Sequence, residues 1–241
     1  MDDCYIYTDR CVIEMSEYID NIFSSVHHNY DLMNTILSLG IDRIWRRHAA
    51  IAALHEKKKY QVLDIACGTG EMAKSIYKQA TLAGKNIHIT GLDYNNKMLG
   101  IAKEKFKNNR HITFEQGDAI NIKYPADSFD VVTSAFAMRD FDNLRMFAHE
   151  IFRVLRPGGK IMLMDMAAPK RGIHKYFFKF YSRIMLLEGY FVDRNSYSFL
   201  VDSIRKFDSD KVARIIKNAG FKNVNITYLQ THVAFMICAT K

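Results

Sequence analysis

The chain has 241 residues, of which 49% are hydrophobic, and a formal net charge of +8. That length suits one α/β domain with modest additions and a sizeable core, while no apolar run reaches the roughly 18 residues of a membrane-spanning helix. Four scattered cysteines (Cys4, Cys11, Cys67, Cys238) form no CxxC pair, which argues against a zinc site or a disulfide framework and for a reducing, cytoplasmic setting. The start, Met1-Asp2-Asp3-Cys4, lacks the basic-then-apolar order of a signal peptide.

In chain order, residues 1–60 read as a helical cap. Ile22, Phe23 and Val26 share a face, Leu32 to Leu39 continue the pattern, and Gly40 is a helix stop. Ile41 to Ala53 reads as a further helix anchored by Trp45. Residues 61–241 then alternate in type. Strands are expected at Gln61–Ala66, Ile87–Asp93, Ile112–Gly117, Phe129–Ala135 and Lys160–Met166, with helices at Glu71–Ala80, Asn96–Phe106 and Asn143–Leu155. In the last helix Leu144, Phe147, Ala148, Ile151 and Leu155 fall at core spacing. Alternation of this kind implies a doubly wound, Rossmann-like parallel sheet. After a helix at Ser209–Ala219, Val224–Tyr228 and Val233–Ala239 are joined too closely for a crossover and must form an antiparallel hairpin. Residues 172–207, dense in aromatics from Tyr176 to Tyr181 and again at Tyr190, Phe191, Tyr197 and Phe199, read as a helical lid inserted after the fifth strand. Extra core packing or a homo-oligomer interface would explain the same residues.

The chemistry concentrates at the first strand. Asp64-Ile65-Ala66-Cys67-Gly68-Thr69-Gly70 is a strand end and glycine turn, and Gly91-Leu92-Asp93 follows one βαβ unit later. Gly68 and Gly70, lacking Cβ, suit close approach of backbone to a ligand. Asp93, with Tyr94 beside it, stands where a carboxylate holds a ribose diol. The loop also fits a loose dinucleotide fingerprint, but Asp64 and Glu71 flank it, and a pyrophosphate disfavours carboxylates. A cationic, phosphate-free nucleoside such as S-adenosylmethionine tolerates them. The pattern Asp-x-x-x-Gly-x-Gly resembles the first motif of class I S-adenosylmethionine-dependent methyltransferases. Nothing reads as a metal site or an RNA-binding module. The basic balance fits a transient contact with an anionic membrane surface better than one with nucleic acid.

A narrower resemblance rests on Tyr30-Asp31-Leu32-Met33-Asn34 through Leu39-Gly40-Ile41 to Trp45-Arg46-Arg47, on Arg156-Pro157-Gly158-Gly159, on Ser196 to Arg205 and on Ala219-Gly220-Phe221. These blocks are similar to those of the ubiquinone/menaquinone biosynthesis C-methyltransferases. The resemblance implies methyl transfer from S-adenosylmethionine to a ring carbon of a reduced, prenylated quinone precursor such as demethylmenaquinol. It implies Thr69 and the loop glycines at the methionine part of the cofactor, Asp93 at the ribose, and Asp118-Ala119 at the adenine. Three departures stand out: Ala135 where the family has serine, Arg139-Asp140 where it has Arg-Asn, and Met236-Ile237-Cys238 in place of a His-Arg-Gly element. Arg139 is expected to stabilise a developing phenolate and Asp140 to take the proton. Competing readings are a methyltransferase for another small apolar or phenolic acceptor, a non-catalytic S-adenosylmethionine-binding subunit, and, more distantly, a dehydrogenase.

Overall fold

The computed structural model describes residues 40–54, 57–170, 172–192, 194–229 and 232–241. The helices expected before Gly40, and the Tyr30 block with them, lie outside the described residues. So do the side chains of residues 184–197, which include Tyr190, Phe191 and Tyr197.

Helix α1 (Ile41–Ala53) starts at Gly40, whose φ of +75° turns the chain into it. Trp45, the expected anchor, is buried, and Asp42, Ala49, Ala50 and Ala53 are buried with it. The sheet then builds as β1 (Lys59–Ile65), α2 (Glu71–Leu82), β2 (Asn86–Asp93), α3 (Asn96–Lys105), β3 (Ile112–Gln116), β4 (Phe129–Ala135), α4 (Leu144–Val154) and β5 (Leu155–Met166). Helices α5 (Ile173–Val192) and α6 (Arg194–Lys206) form the insertion, and α7 (Ser209–Asn218), β6 (Lys222–Tyr228) and β7 (Ala234–Thr240) complete the chain. Strand order is β3-β2-β1-β4-β5-β7-β6. The pairs among β1 to β5 are parallel, and β7 runs antiparallel to both β5 and β6.

Period-two alternation explains why the strands are apolar throughout. Val62, Val131, Met162, Met164 and Met236 pack one face against Trp45 of α1 and Met72 and Ile76 of α2. Their neighbours Leu63, Val132, Ile161, Leu163 and Ile237 pack the other against Phe147 and Ile151 of α4 and Val212 and Ile216 of α7. A sheet covered on both faces cannot show polar alternation.

Two boundaries differ from expectation. Leu155, assigned by spacing to the end of a helix, opens β5 instead, pairing with Phe129. The Arg156–Gly159 segment is therefore an irregularity inside β5 and no turn before it; Lys160 resumes the ladder opposite Val131. Gly159 is required there, since a Cβ would lie 2.8 Å from the Arg156 carbonyl oxygen. The 172–207 insertion is helical. Phe178 and Ile204 bury against Val233, with Met166 and Ala168 of the β5 end alongside, and Lys170 bridges Asp208 and Asp210 at 2.9 Å each.

Candidate active site

The strand order reverses between β1 and β4, and in open α/β sheets the crevice beyond the strand ends at such a point receives the ligand. A cavity of about 350 Å³ opens there. Its wall includes Gly68 after β1, Asp93, Tyr94 and Asn95 after β2, Asp118 and Ala119 after β3, and Ala135, Phe136, Asp140, Asp142 and Asn143 after β4. Four carboxylates line it, and among the described lining residues there is no lysine, arginine or histidine. In a chain of net charge +8 that segregation selects a cationic ligand and disfavours a pyrophosphate.

Asp93 is fixed before any ligand arrives. Its Oδ2 accepts the Gly68 N–H at 2.7 Å and its Oδ1 the Asn95 N–H at 2.9 Å. Asn95 in turn caps α3 through the Lys97 and Met98 amides. Asp118 is held by the Ile120 N–H at 3.0 Å. Gly68, at φ +55°, lines the cavity with only Met98 within reach of a would-be Cβ, at 3.6 Å. The backbone there is open to the cavity.

Gly70 has a different cause. It does not line the cavity, and a Cβ would lie 2.8 Å from Phe106 and 2.9 Å from Phe114; the glycine serves packing under the loop. Thr69 is buried and also outside the lining. Asp64 is fully buried beneath the turn. Thr133 Oγ1 donates to its Oδ1 at 2.7 Å, while Oδ2 has no hydrogen-bond partner. Burial pushes its carboxyl up to about 7, against the opposing pull of Thr133 and Arg46. A buried acceptor lacking a donor is costly unless a ligand or water supplies one.

At the far wall a 3₁₀ turn, Met138–Asp140, follows β4. Asp140 faces the cavity; Arg139 does not line it. The Arg139 guanidinium is almost wholly buried and binds Asp165, the penultimate residue of β5, at 2.6 Å. Asp165 also accepts the Arg139 N–H at 3.1 Å and the Met166 N–H at 2.7 Å. The expected reach of Arg139 toward an acceptor oxygen is thus replaced by an ion pair behind Asp140. Burial raises the Asp140 carboxyl to about 6; Arg139 pulls it down and Asp165 pushes it up. Asp165 is the residue that sequence reasoning passed over. Its only signal was an acid closing an otherwise apolar strand, as Asp64 and Asp93 do.

Phe136 takes a left-handed φ of +63° right after Ala135. Its ring lies under the Arg46 guanidinium at 5.0 Å and near Trp45 at 6.3 Å, so α1 forms part of the far wall's support. The Met236–Cys238 segment pairs with Met162–Met164 in mid-sheet and takes no part in the lining. That departure is a matter of core packing.

The model of the ubiE/COQ5 methyltransferase family matches residues 12–241. The chain belongs to that family. It is accordingly a methyltransferase dependent on S-adenosylmethionine, and the dehydrogenase and non-catalytic readings fall away. Among its relatives, the demethylmenaquinone methyltransferase of Deinococcus radiodurans is 35% identical over 214 residues, covering 87% of each chain. A ubiquinone/menaquinone biosynthesis C-methyltransferase of Rickettsia massiliae is 36% identical over 216 residues, covering 86% of this chain and 85% of its own. The fold is shared with a putative S-adenosylmethionine-dependent methyltransferase of Methanococcus maripaludis, at a TM-score of 0.63 and 19% identity over 94% of this chain and 91% of that one. It is also shared with the Haemonchus contortus phosphoethanolamine N-methyltransferase 2 in complex with S-adenosylmethionine, at 0.59 and 16% identity over 81% and 52%. The cofactor fits the site by chemistry: an acidic, cation-free wall for a sulfonium and an amine, a preset carboxylate for the ribose, and a Cβ-free approach at Gly68.

Proposed function

We propose that this enzyme methylates a ring carbon of a reduced, prenylated quinone precursor of the demethylmenaquinol type. The observation that carries the reading is a second carboxyl, Asp140, lining the same cavity as Asp93, where burial raises its pKa to about 6. Relatives at 35–36% identity whose names specify quinone methylation support it. S-adenosylmethionine, when bound, supplies a methyl group already activated on a sulfonium, so the protein's tasks are alignment and one proton transfer. Asp93 would hold the ribose hydroxyls, with Tyr94 beside it, and Asp118 the adenine amino group, with the Ala119 N–H toward the ring. Asp64, below the turn, would fix the loop that carries Gly68, Thr69 and Gly70. Ala135 and Phe136 close the cavity between the two halves.

Asp140 takes the proton of the ring hydroxyl, which makes the neighbouring carbon a nucleophile. Once the methyl has moved to it from the sulfonium, that carbon loses its own proton to solvent, the oxygen regains one, and the ring is aromatic again. A base with a pKa near the working pH is well matched to the first of these transfers, which contributes about 10²–10⁴-fold. Arg139 is a positioning residue here: tied to Asp165, it holds a fixed positive charge behind Asp140 and never needs to meet the substrate. Because the acceptor is a lipid, the chain works beside an anionic membrane surface. The test is methyl transfer to a short-chain demethylmenaquinol kept reduced, with the oxidised quinone as control. Transfer to the quinol alone is expected. Equal transfer to the quinone would remove the need for an ionisable hydroxyl, and no transfer with the cofactor bound would discard the acceptor class.

A further inference from the structure

The first half of α5 is an amphipathic helix whose outer face is split in two. Phe178 and Ser182 are buried against the body, with Arg205 of α6 donating to the Ser182 hydroxyl at 3.2 Å. On the opposite side Ile173, Tyr176, Phe177 and Phe180 are 77, 74, 50 and 64% exposed. At 100° per residue these four fall within about a third of the circumference, and Lys175, Lys179 and Arg183, all exposed, lie along one flank of them. Residues 172–183 contain no acid.

Four large apolar side chains on one solvent-facing strip need a cover. The order of chemistry around the helix — buried face, basic flank, aromatic strip — is that of a helix lying in a lipid interface. Tyr176 is a ring type suited to the headgroup boundary, and Ile173, Phe177 and Phe180 add apolar depth. We infer that Ile173, Tyr176, Phe177 and Phe180 insert into the surface of an anionic bilayer, with Lys175, Lys179 and Arg183 on the lipid phosphates. The inference deepens the proposed reading, since the prenylated acceptor resides in that bilayer. α5 packs at the C-terminal end of β5 and the N-terminal end of β7, beside Met166 and Val233, and the cavity opens beyond the C-terminal ends of β1 to β4, on the same edge of the sheet. Docking through α5 therefore presents that edge to the membrane. A nucleic-acid partner fits less well, because the cations and the rings occupy different sectors of a convex helix, whereas strand binding interleaves them along a groove.

The experiment is co-sedimentation of the full chain with vesicles of phosphatidylcholine containing 30% phosphatidylglycerol, and with pure phosphatidylcholine. Binding to the anionic vesicles, weakened by salt, is expected. Phe177→Ser with Phe180→Ser, and separately Lys175→Gln with Lys179→Gln, should each weaken it by about tenfold or more. Both variants should keep the thermal midpoint and the methylation rate on a short-chain acceptor in vesicle-free buffer. That control separates failure here from failure of the proposed activity, since vesicle binding requires no methyl transfer. The inference is overturned if the variants sediment like the parent, if the parent ignores anionic vesicles, or if a single-stranded RNA binds and competes them away. It is equally overturned if the parent is a dimer that the Phe177→Ser, Phe180→Ser variant dissociates, because the strip would then be covered by a second copy.

Discussion

The two walls of the cavity are built by different means. The wall after β1, β2 and β3 is backbone: Gly68 and Asn95 amides grip Asp93, and Asp118 is seated by the amide two residues on. The wall after β4 is side chain: Asp140 stands in front of an Arg139–Asp165 pair whose members come from different strand ends. Under the proposed reading, the backbone-set wall would hold the cofactor and the side-chain wall would meet the acceptor and its proton. One half would then be generic and the other particular to this enzyme.

That contrast breaks most sharply at Asp140. Asp140→Asn, which installs the residue the family resemblance expects, should lower kcat by about 10²–10⁴-fold while leaving cofactor affinity in calorimetry unchanged. In the parent enzyme, a base with a pKa of about 6 must be ionised to act. Its rate should be flat above pH 7 and fall about tenfold per unit well below 6; a variant that keeps both rate and profile would remove Asp140 from the chemistry.

Asp165→Asn sharpens the same wall through its foundation. It strands the buried Arg139 charge, with an expected loss of about 3–5 kcal/mol of stability in chemical denaturation. Asp165→Asn with Arg139→Met should recover much of that loss, and recovery of folding without recovery of turnover would confirm that the pair positions Asp140. On the other wall, Asp93→Asn should weaken S-adenosylmethionine binding by roughly 100-fold, as two charge-assisted hydrogen bonds become neutral. Its effect on kcat at saturating cofactor should be small, the reverse of Asp140→Asn.

The smallest expected effect is at Gly70→Ala. Its φ of +84° and the 2.8 Å approach to Phe106 predict a loss of about 1–3 kcal/mol of stability. Cofactor affinity should barely move in the folded fraction, because Gly70 touches rings and not the cavity. A large affinity loss with unchanged stability would return this glycine to the ligand site.

Chain order and pattern alone determined the alternation of strands and helices, the antiparallel finish and the acids at the ends of β1 and β2. Each is local: a strand's apolar run, a glycine turn and the shortness of the β6–β7 link are all readable within a dozen residues. The opening of β5 at Leu155 was not legible, because helix and buried strand present the same apolar residues there and only pairing with Phe129 decides. Gly68 and Gly70 look alike as text, two glycines flanking a threonine. Tertiary packing alone opens one to the cavity and makes the other a seat for Phe106 and Phe114. The same holds for Arg139. From sequence its neighbour Asp140 is the evident partner, yet the fold brings Asp165, 26 residues on, to its guanidinium. Parallel strands place residues far apart in the chain side by side at their C-terminal ends, and that is where the Arg139–Asp165 pair behind Asp140 is made.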